Sequence, residues 1–244
     1  MKTLKIVSYN LHSGLGMDKA ADFDRLAETI RAEHPGLTGL QELSVGRADL
    51  PPGDPLELLS GKLGQTGFFA ETFQPVFEGK SYSYGIGVLS ALKAEKVAEI
   101  ALPNLDREEP RKAVFLKIET EDGNTVYFVN THLANGAGEK REQLRLLQIK
   151  TIYEWIVSAQ YAPIILTGDM NAVPDSPCGR FLAEKFTLAG DMSPTYPADE
   201  PRIKIDYIAF YPKNAFTVES YRVVNETVAS DHRPIAAELR LNRS

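Results

Sequence analysis

The sequence predicts an α/β fold in which two β-sheets pack face to face with helices on the outside. Strand-like runs outnumber helical ones, they often come in consecutive pairs, and no linker or compositional break divides the chain. We therefore expect the 244 residues to form one domain, 1–244.

Leu4–Tyr9 is rich in β-formers and stops at Asn10. Asp22–Glu33 predicts a helix, because Phe23, Leu26, Ala27 and Ile30 recur at helical spacing behind an Asp22 cap, and His34-Pro35-Gly36 ends it. Leu37–Gln41 is a short strand. Asp54-Pro55 opens a second helix, an N-cap followed by proline at the first helical position. Ile86–Ser90, Val97–Leu102, Ala113–Glu119 and Thr125–Asn130 are strands, the last two joined by a hairpin turn at Asp122-Gly123. Gly138–Ala159 is the longest helical stretch, with Leu146, Ile149, Tyr153 and Ile156 on one face. Pro163–Thr167, Ile203–Tyr211, Phe216–Val224 and Ile235–Leu241 complete the strands.

Bulk properties narrow the function. Hydrophobic residues make up 43% and charged residues 25%, as in ordinary globular chains. A formal charge of −6 argues against the broad basic surface that non-specific nucleic-acid binding relies on. The single cysteine, Cys178, excludes an internal disulfide and reads as a small residue of the Ser176–Gly179 turn rather than a nucleophile. No run of about 18 apolar residues is present, and the first residues lead directly into a strand rather than a signal sequence, so the expectation is a cytoplasmic protein, with export after removal of a signal peptide left open; a monomer is expected.

The chemistry gathers where apolar strands run into polar residues. These places are Tyr9-Asn10-Leu11-His12, Leu40-Gln41-Glu42, Val129-Asn130-Thr131-His132, Thr167-Gly168-Asp169-Met170-Asn171 and Ser230-Asp231-His232. Asp206 adds a carboxylate within Ile205-Asp206-Tyr207-Ile208, where an unpaired charge would be costly. Two histidines (His132, His232), four carboxylates (Glu42, Asp169, Asp206, Asp231) and two asparagines (Asn10, Asn171) offer oxygen ligands to a hard cation such as Mg²⁺ or Mn²⁺. Zinc would call for more closely spaced histidine or cysteine. The remaining groups can activate water and stabilise a transferring phosphoryl group.

The words SYNLHSG, GLQEL, YGIGVLS, EPRKAV, VNTHL, GDMNAVPDSP, KIDYIAF and SDHRPI run in this order from Ser8 to Ile235. Together they resemble the endonuclease/exonuclease/phosphatase superfamily, and TYPADEPRIKIDYI resembles a bacterial branch with diverse substrates. The resemblance implies a four-layer α/β sandwich of two mixed sheets with the site at the mouth between them. It implies Glu42 as principal metal ligand with Asn10 and Asp231 beside it, and Asp169 as the group that orients or deprotonates water. Asn171, His132 and Arg111 would contact phosphate, and His232, oriented by Asp206, would stabilise the transition state or donate a proton. Leu43-Ser44-Val45 after the Gln-Glu pair, where repair nucleases carry lysine, resembles the lipid, nucleotide and polyphosphate branches.

Three functions follow: a metal-dependent phosphoesterase on a small, nucleotide or lipid-derived ester, which is favoured; a DNA nuclease or end-processing enzyme; and a non-catalytic phosphate-binding module. His12 and His34 stay outside the assigned set, and the aromatics Phe68, Phe69, Phe73, Phe77 and Tyr82 read as core and loop packing.

Overall fold

A computed structural model describes residues 3–105 and 109–242. β1 (Thr3–Asn10) passes through a 3-10 turn at His12–Gly14 into α1 (Phe23–Ala32) and returns as β2 (Leu37–Val45). Then follow α2 (Pro55–Leu63), β3 (Thr66–Phe73), a small hairpin of β4 (Val76–Phe77) and β5 (Lys80–Ser81), and β6 (Ser83–Ser90). The second half runs β7 (Lys93–Ala101), β8 (Lys112–Glu119), β9 (Thr125–His132), α3 (Glu139–Ser158), β10 (Ile164–Asp169), α4 (Pro177–Lys185), β11 (Thr187–Leu188), β12 (Asp206–Tyr211), β13 (Phe216–Val223) and β14 (Ile235–Leu241).

Two six-stranded sheets result, in the orders β13-β14-β1-β2-β6-β3 and β11-β12-β10-β9-β8-β7. Both are mixed. β1 and β2 run parallel around α1, and β9 and β10 run parallel around α3, because a parallel pair needs a crossover long enough to hold a helix. Three apolar clusters mark the interfaces of four layers. Leu37, Val88, Leu116, Phe128, Ile165 and Phe210 fill the space between the sheets. Leu26, Ile30, Leu40 and Leu59 lie between the first sheet and α1/α2, while Phe115, Ile149, Ile152, Leu166 and Leu182 lie between the second sheet and α3/α4.

Local chemistry explains the helix ends. Asp22 Oδ1 accepts from the backbone N–H groups of Asp24 and Arg25, both at 3.0 Å, and Asp54 caps α2 in the same way with Pro55 next to it. Ser176-Pro177 repeats that cap at α4, where Ser176 Oγ accepts from Gly179 N–H at 3.1 Å. The expected Ser176–Gly179 turn is therefore the first turn of a helix that sequence reading overlooked, and Cys178 is buried inside it. β3 was also overlooked. It is an edge strand with a mostly half-exposed pattern, which hides period-two alternation.

Other expectations need correction. The core face of α3 carries Leu144, Ile149, Ile152 and Ile156, whereas Leu146 and Tyr153 sit at its flank. Arg145 and Gln148 are buried there too, because they hold the loop after β9. Arg145 Nη1 donates to the carbonyls of Ala134 (3.1 Å) and Gly136 (2.8 Å), and Gln148 Oε1 accepts from Ala134 N–H (2.9 Å). β2 runs past Gln41 to Val45, and β12 begins at Asp206 rather than at Ile203. The aromatics around β3 pack as expected: Phe73 meets Tyr84 at 5.3 Å and Phe77 lies under Arg47. Among the described residues no helix is long and apolar enough to cross a membrane.

Between the sheets the packing becomes polar toward one end. Asn130 Nδ2 donates to the carbonyls of Leu40 (2.8 Å) and Gly87 (2.9 Å), while its Oδ1 accepts from Gln41 Nε2 (2.7 Å) and Thr167 Oγ1 (3.2 Å). One side chain of the second sheet thus satisfies backbone groups of the first. Gly39 makes the approach possible, since a Cβ there would stand 2.2 Å from Thr167 Oγ1. Asn130→Ala strands two carbonyls and the Gln41 amide in a dry interface, so we expect a loss of about 3 kcal/mol in urea unfolding. A loss below roughly 1 kcal/mol would show that these bonds do not bind the sheets together.

Candidate active site

Period-two alternation builds the site. Along β1 the residues facing the second sheet are Leu4, Ile6, Ser8 and Asn10; along β9 they are Val126, Phe128, Asn130 and His132. On β10 the series is Ile165, Thr167, Asp169, and on β12, read backwards, Phe210, Ile208, Asp206. Each series begins apolar and ends polar at the same end of the sandwich, so four strands deliver Asn10, His132, Asp169 and Asp206 to one mouth. The register confirms it: Asp169 lies opposite both His132 and Asp206.

Glu42 arrives by a different route. The pairing of β2 with β6 slips between Leu40 and Leu43, and Glu42 has the left-handed φ of 58°. This bulge turns a side chain that alternation would send to the helix side into the mouth instead. Asp231 and His232 come from the loop before β14. Ser230 Oγ donates to the Asn10 carbonyl at 2.7 Å, and Ala198 N–H donates to the Asp231 carbonyl at 2.8 Å, so that loop is tied to β1 on one side and to the 195–203 loop on the other.

Asn10 joins the two halves. Its Nδ2 donates to Glu42 Oε1 (3.0 Å) and to Asp169 Oδ2 (3.1 Å), and its Oδ1 accepts from His12 N–H. Asp169 is almost fully buried; Oδ2 lies 3.5 Å from His132 Nε2 and 3.7 Å from His232 Nε2, and Oδ1 accepts from Asn171 N–H at 2.8 Å. His232 Nδ1 donates to Asp206 Oδ2 at 3.0 Å, and Thr195 Oγ1 donates to that same oxygen at 2.5 Å. Asp169, Asp206 and His232 bring ligand atoms within 4.8 Å of one another, but two of the three are already joined as a hydrogen-bonded dyad. Glu42 and Asp231 each keep about a quarter of the side chain open to solvent, and Asp231 Oδ1 lies 3.8 Å from His12 Nδ1 and accepts from Ser230 Oγ at 3.4 Å.

The two histidines carry opposite charge states. Burial alone would lower His232, but the carboxylates of Asp206 and Asp169 outweigh it and hold the imidazole at about 10. Burial lowers His132 well below its usual range, and the positive charges of Arg111 and His232 add to that. Arg111 Nη1, which can only donate, lies 3.0 Å from His132 Nδ1. On the other side of the ring, His132 Nε2 lies 3.5 Å from Asp169 Oδ2 and 3.0 Å from Asn171 Nδ2, which also donates to the Leu133 carbonyl at 3.2 Å. Burial pushes Asp169 up to about 7 against the pull of His232; Asp206 adds to the rise, and hydrogen bonds from Asn171 and Asn10 oppose it.

Every residue given a role in the site from sequence lies in or beside this mouth. Arg111, expected to contact phosphate, is buried against His132 and also pairs with Glu109 at 2.9 Å. Asp106 and Glu108 of the same acidic loop lie outside the described residues. His12 borders the mouth, while His34 follows α1 as a helix-end residue near the opposite end of β1. Sequence reasoning missed Thr195, Tyr196 and Ser230. The Tyr196 ring rests 4.8 Å from His232, and burial followed by the charges of Asp231, Glu42 and Asp169 raises its phenol. The Thr195-Tyr196-Pro197 word was visible, but nothing in its spacing linked it to Asp206.

The model of the Endonuclease/Exonuclease/phosphatase family matches residues 7–232. No curated protein matches the sequence. Among solved structures, an endonuclease/exonuclease/phosphatase from Beutenbergia cavernae DSM 12333 superposes with a TM-score of 0.80 at 22% identity, over 99% of this chain and 72% of that one. A family protein from Bacteroides thetaiotaomicron gives 0.78 at 18% identity over 99% of both chains. A mannosyl-6-phosphatase from Bacteroides thetaiotaomicron VPI-5482 gives 0.75 at 19% identity, over 98% of this chain and all of that one.

Asp206 is the largest force holding the proton on His232, so Asp206→Asn lowers the His232 pKa. In ¹H–¹⁵N spectra the native ring stays doubly protonated through pH 8, and the variant ring titrates earlier. An unchanged titration would remove Asp206 as the cause.

Proposed function

Because this chain belongs to the endonuclease/exonuclease/phosphatase family, whose members are hydrolases of phosphoester bonds, we propose that it cleaves a small phosphate mono- or diester by in-line attack of water. The observation that carries this reading is the placement of Asp169 between two imidazoles of opposite charge state, with Asn10 tying it to Glu42.

Asp169, its proton affinity raised by burial, takes a proton from the attacking water, and Asn171 and neutral His132 hold oxygens of the phosphoryl group. The Arg111 guanidinium neutralises charge on the same group, as a fixed donor in a water-poor site. His232, kept charged by Asp206, stands on the opposite side of Asp169 and donates its Nε2 proton as charge builds on a phosphoryl or leaving-group oxygen.

A divalent cation fits the donor set. Glu42 and Asp231 are carboxylates open to the mouth with few protein partners, which suits Mg²⁺ or Mn²⁺ better than zinc, while Asn10, the third expected ligand, turns its Nδ2 to Glu42 and accepts from His12 N–H through Oδ1. When bound there, such an ion supplies charge neutralisation at the phosphate. The buried Asp206–His232 pair is less suited to holding it, because each group already satisfies the other.

A nucleic-acid substrate is less well supported. Arg47 and Lys62 are the basic residues of the 46–62 segment that a nucleic-acid track would use, but Arg47 pairs with Asp49 at 2.8 Å and Lys62 with Asp24. A net charge of −6 then leaves little to attract a duplex with one charge per roughly 1.7 Å.

Assays on p-nitrophenyl phosphate and bis-p-nitrophenyl phosphate test the reading. Activity requires added Mg²⁺ or Mn²⁺, and full turnover in excess EDTA would sink the metal assignment. Asp169→Asn and His232→Ala each lower kcat by about 10²–10⁴-fold, whereas Glu42→Gln raises the metal concentration for half activity. Near-normal kcat in either of the first two would overturn their roles. With plasmid DNA at physiological salt, nicking is absent at nanomolar enzyme; efficient nicking abolished by Asp169→Asn would move the protein to the nuclease class.

A further inference from the structure

Arg111 belongs to two places. Its Nη1 lies 3.0 Å from His132 and 2.9 Å from Glu109, and beyond it opens a recess of about 260 Å³ lined by Glu109, Arg111, Ala134, Asn135, Gly136 and Arg141. The recess has a fixed wall. Buried Arg145 holds the carbonyls of Ala134 and Gly136, and Gln148 holds Ala134 N–H, so α3 anchors the loop that carries Asn135. Gly136 keeps a φ of 102°, a backbone conformation that strains other residues, and presents no side chain to the space.

We propose that this recess is the subsite for the alcohol portion of a small, hydroxyl-rich phosphate ester, and that Glu109 is its specificity-determining residue. Size comes first. At about 260 Å³ the space lies below the usual range for cofactor pockets and suits one saturated ring or a short polyol. Chemistry comes second. Among the described residues the lining has no aromatic ring on which a base could stack and no apolar side chain larger than Ala134 to hold an acyl chain. It is built instead of polar groups, the Glu109 carboxylate, the Arg141 guanidinium and the Asn135 carboxamide, which are of the kind a polyhydroxyl group satisfies.

Charge decides between a hydroxyl group and a second phosphate. Two guanidiniums alone would favour an additional anion. Glu109 takes part of the charge of Arg111 through their ion pair, and Arg141 also acts on it. Burial and the charge of Glu42 raise its carboxyl, and the two guanidiniums lower it. A second phosphate placed here meets a half-buried carboxylate, while a hydroxyl donates to it. The same carboxylate stands against the next phosphate of a polynucleotide.

The inference rests on the phosphoesterase reading above, and its test separates the two. The probes are glucose 6-phosphate and mannose 6-phosphate, phenyl phosphate as the ester without hydroxyls, and glucose 1,6-bisphosphate. In the native enzyme kcat/KM is highest for a hexose monophosphate. Glu109→Gln lowers the ratio of hexose 6-phosphate to phenyl phosphate by about tenfold, chiefly through KM, because a hydrogen bond to a charged group is lost. The same variant raises the ratio of bisphosphate to monophosphate. Arg141→Gln, on the far wall, also lowers the hexose ratio. If Glu109→Gln moves all four substrates by the same factor, or none, Glu109 only tunes Arg111 and the subsite is refuted. If no probe is hydrolysed with Mg²⁺ or Mn²⁺, the phosphoesterase reading fails. Calorimetric titration of the metal-free protein with hexose 6-phosphate and phenyl phosphate then decides the subsite by the same ratio.

Discussion

Two sheets that face each other bury everything between them, and this fold places backbone carbonyls, amides, hydroxyls and carboxylates in that gap. The structure depends on their satisfaction. Asn130 is the joint, with both amide hydrogens on carbonyls of the opposite sheet and its oxygen shared by Gln41 and Thr167. An unmade bond in such a place costs more than a made one returns, so the network works as a set of requirements rather than a sum of attractions. Its geometric condition is the close approach at Gly39. Above it Asn10 repeats the pattern, one side chain reaching from the first sheet to a carboxylate on the second.

The layer architecture was legible because strand pairs and helix caps are local signals. Asp22 and Asp54 announced their helices, and the Asp-Gly turn announced its hairpin. Asn10 and Asp169 were legible as strand ends, since an apolar run that breaks into a polar residue is visible without knowing the partner strand. Glu42 was legible only by residue type. The bulge that aims it depends on how β2 pairs with β6, which is information about another segment. Asp206 needed a partner, yet the residues that provide one, Thr195 and His232, are 11 and 26 positions away, on the loops that precede β12 and β14. Edge strand β3 and helix α4 escaped for a plainer reason, one half-exposed along its length and the other hidden behind a short cap word that also reads as a turn.

Environment divides labour among similar side chains. His132 and His232 are both nearly buried, but one faces a guanidinium and the other two carboxylates, so one is neutral and the other charged. The framework strands supply these groups, whereas the recess beside Arg111 is bounded by a loop pinned from α3. The reacting centre and the surface that meets the rest of the substrate therefore have separate supports, and either can change with little disturbance to the other.

Three residues around the mouth, His12, Glu42 and Asn171, hold left-handed φ values of 46°, 58° and 47° without being glycine. Each such residue gives up roughly 1–2 kcal/mol relative to the residue type that backbone prefers. A library of this protein sorted only for survival at elevated temperature should thus enrich glycine at all three positions. The survivors would fold better with an emptied mouth, so heat-based selection on this scaffold has to be coupled to a chemical readout from its first round.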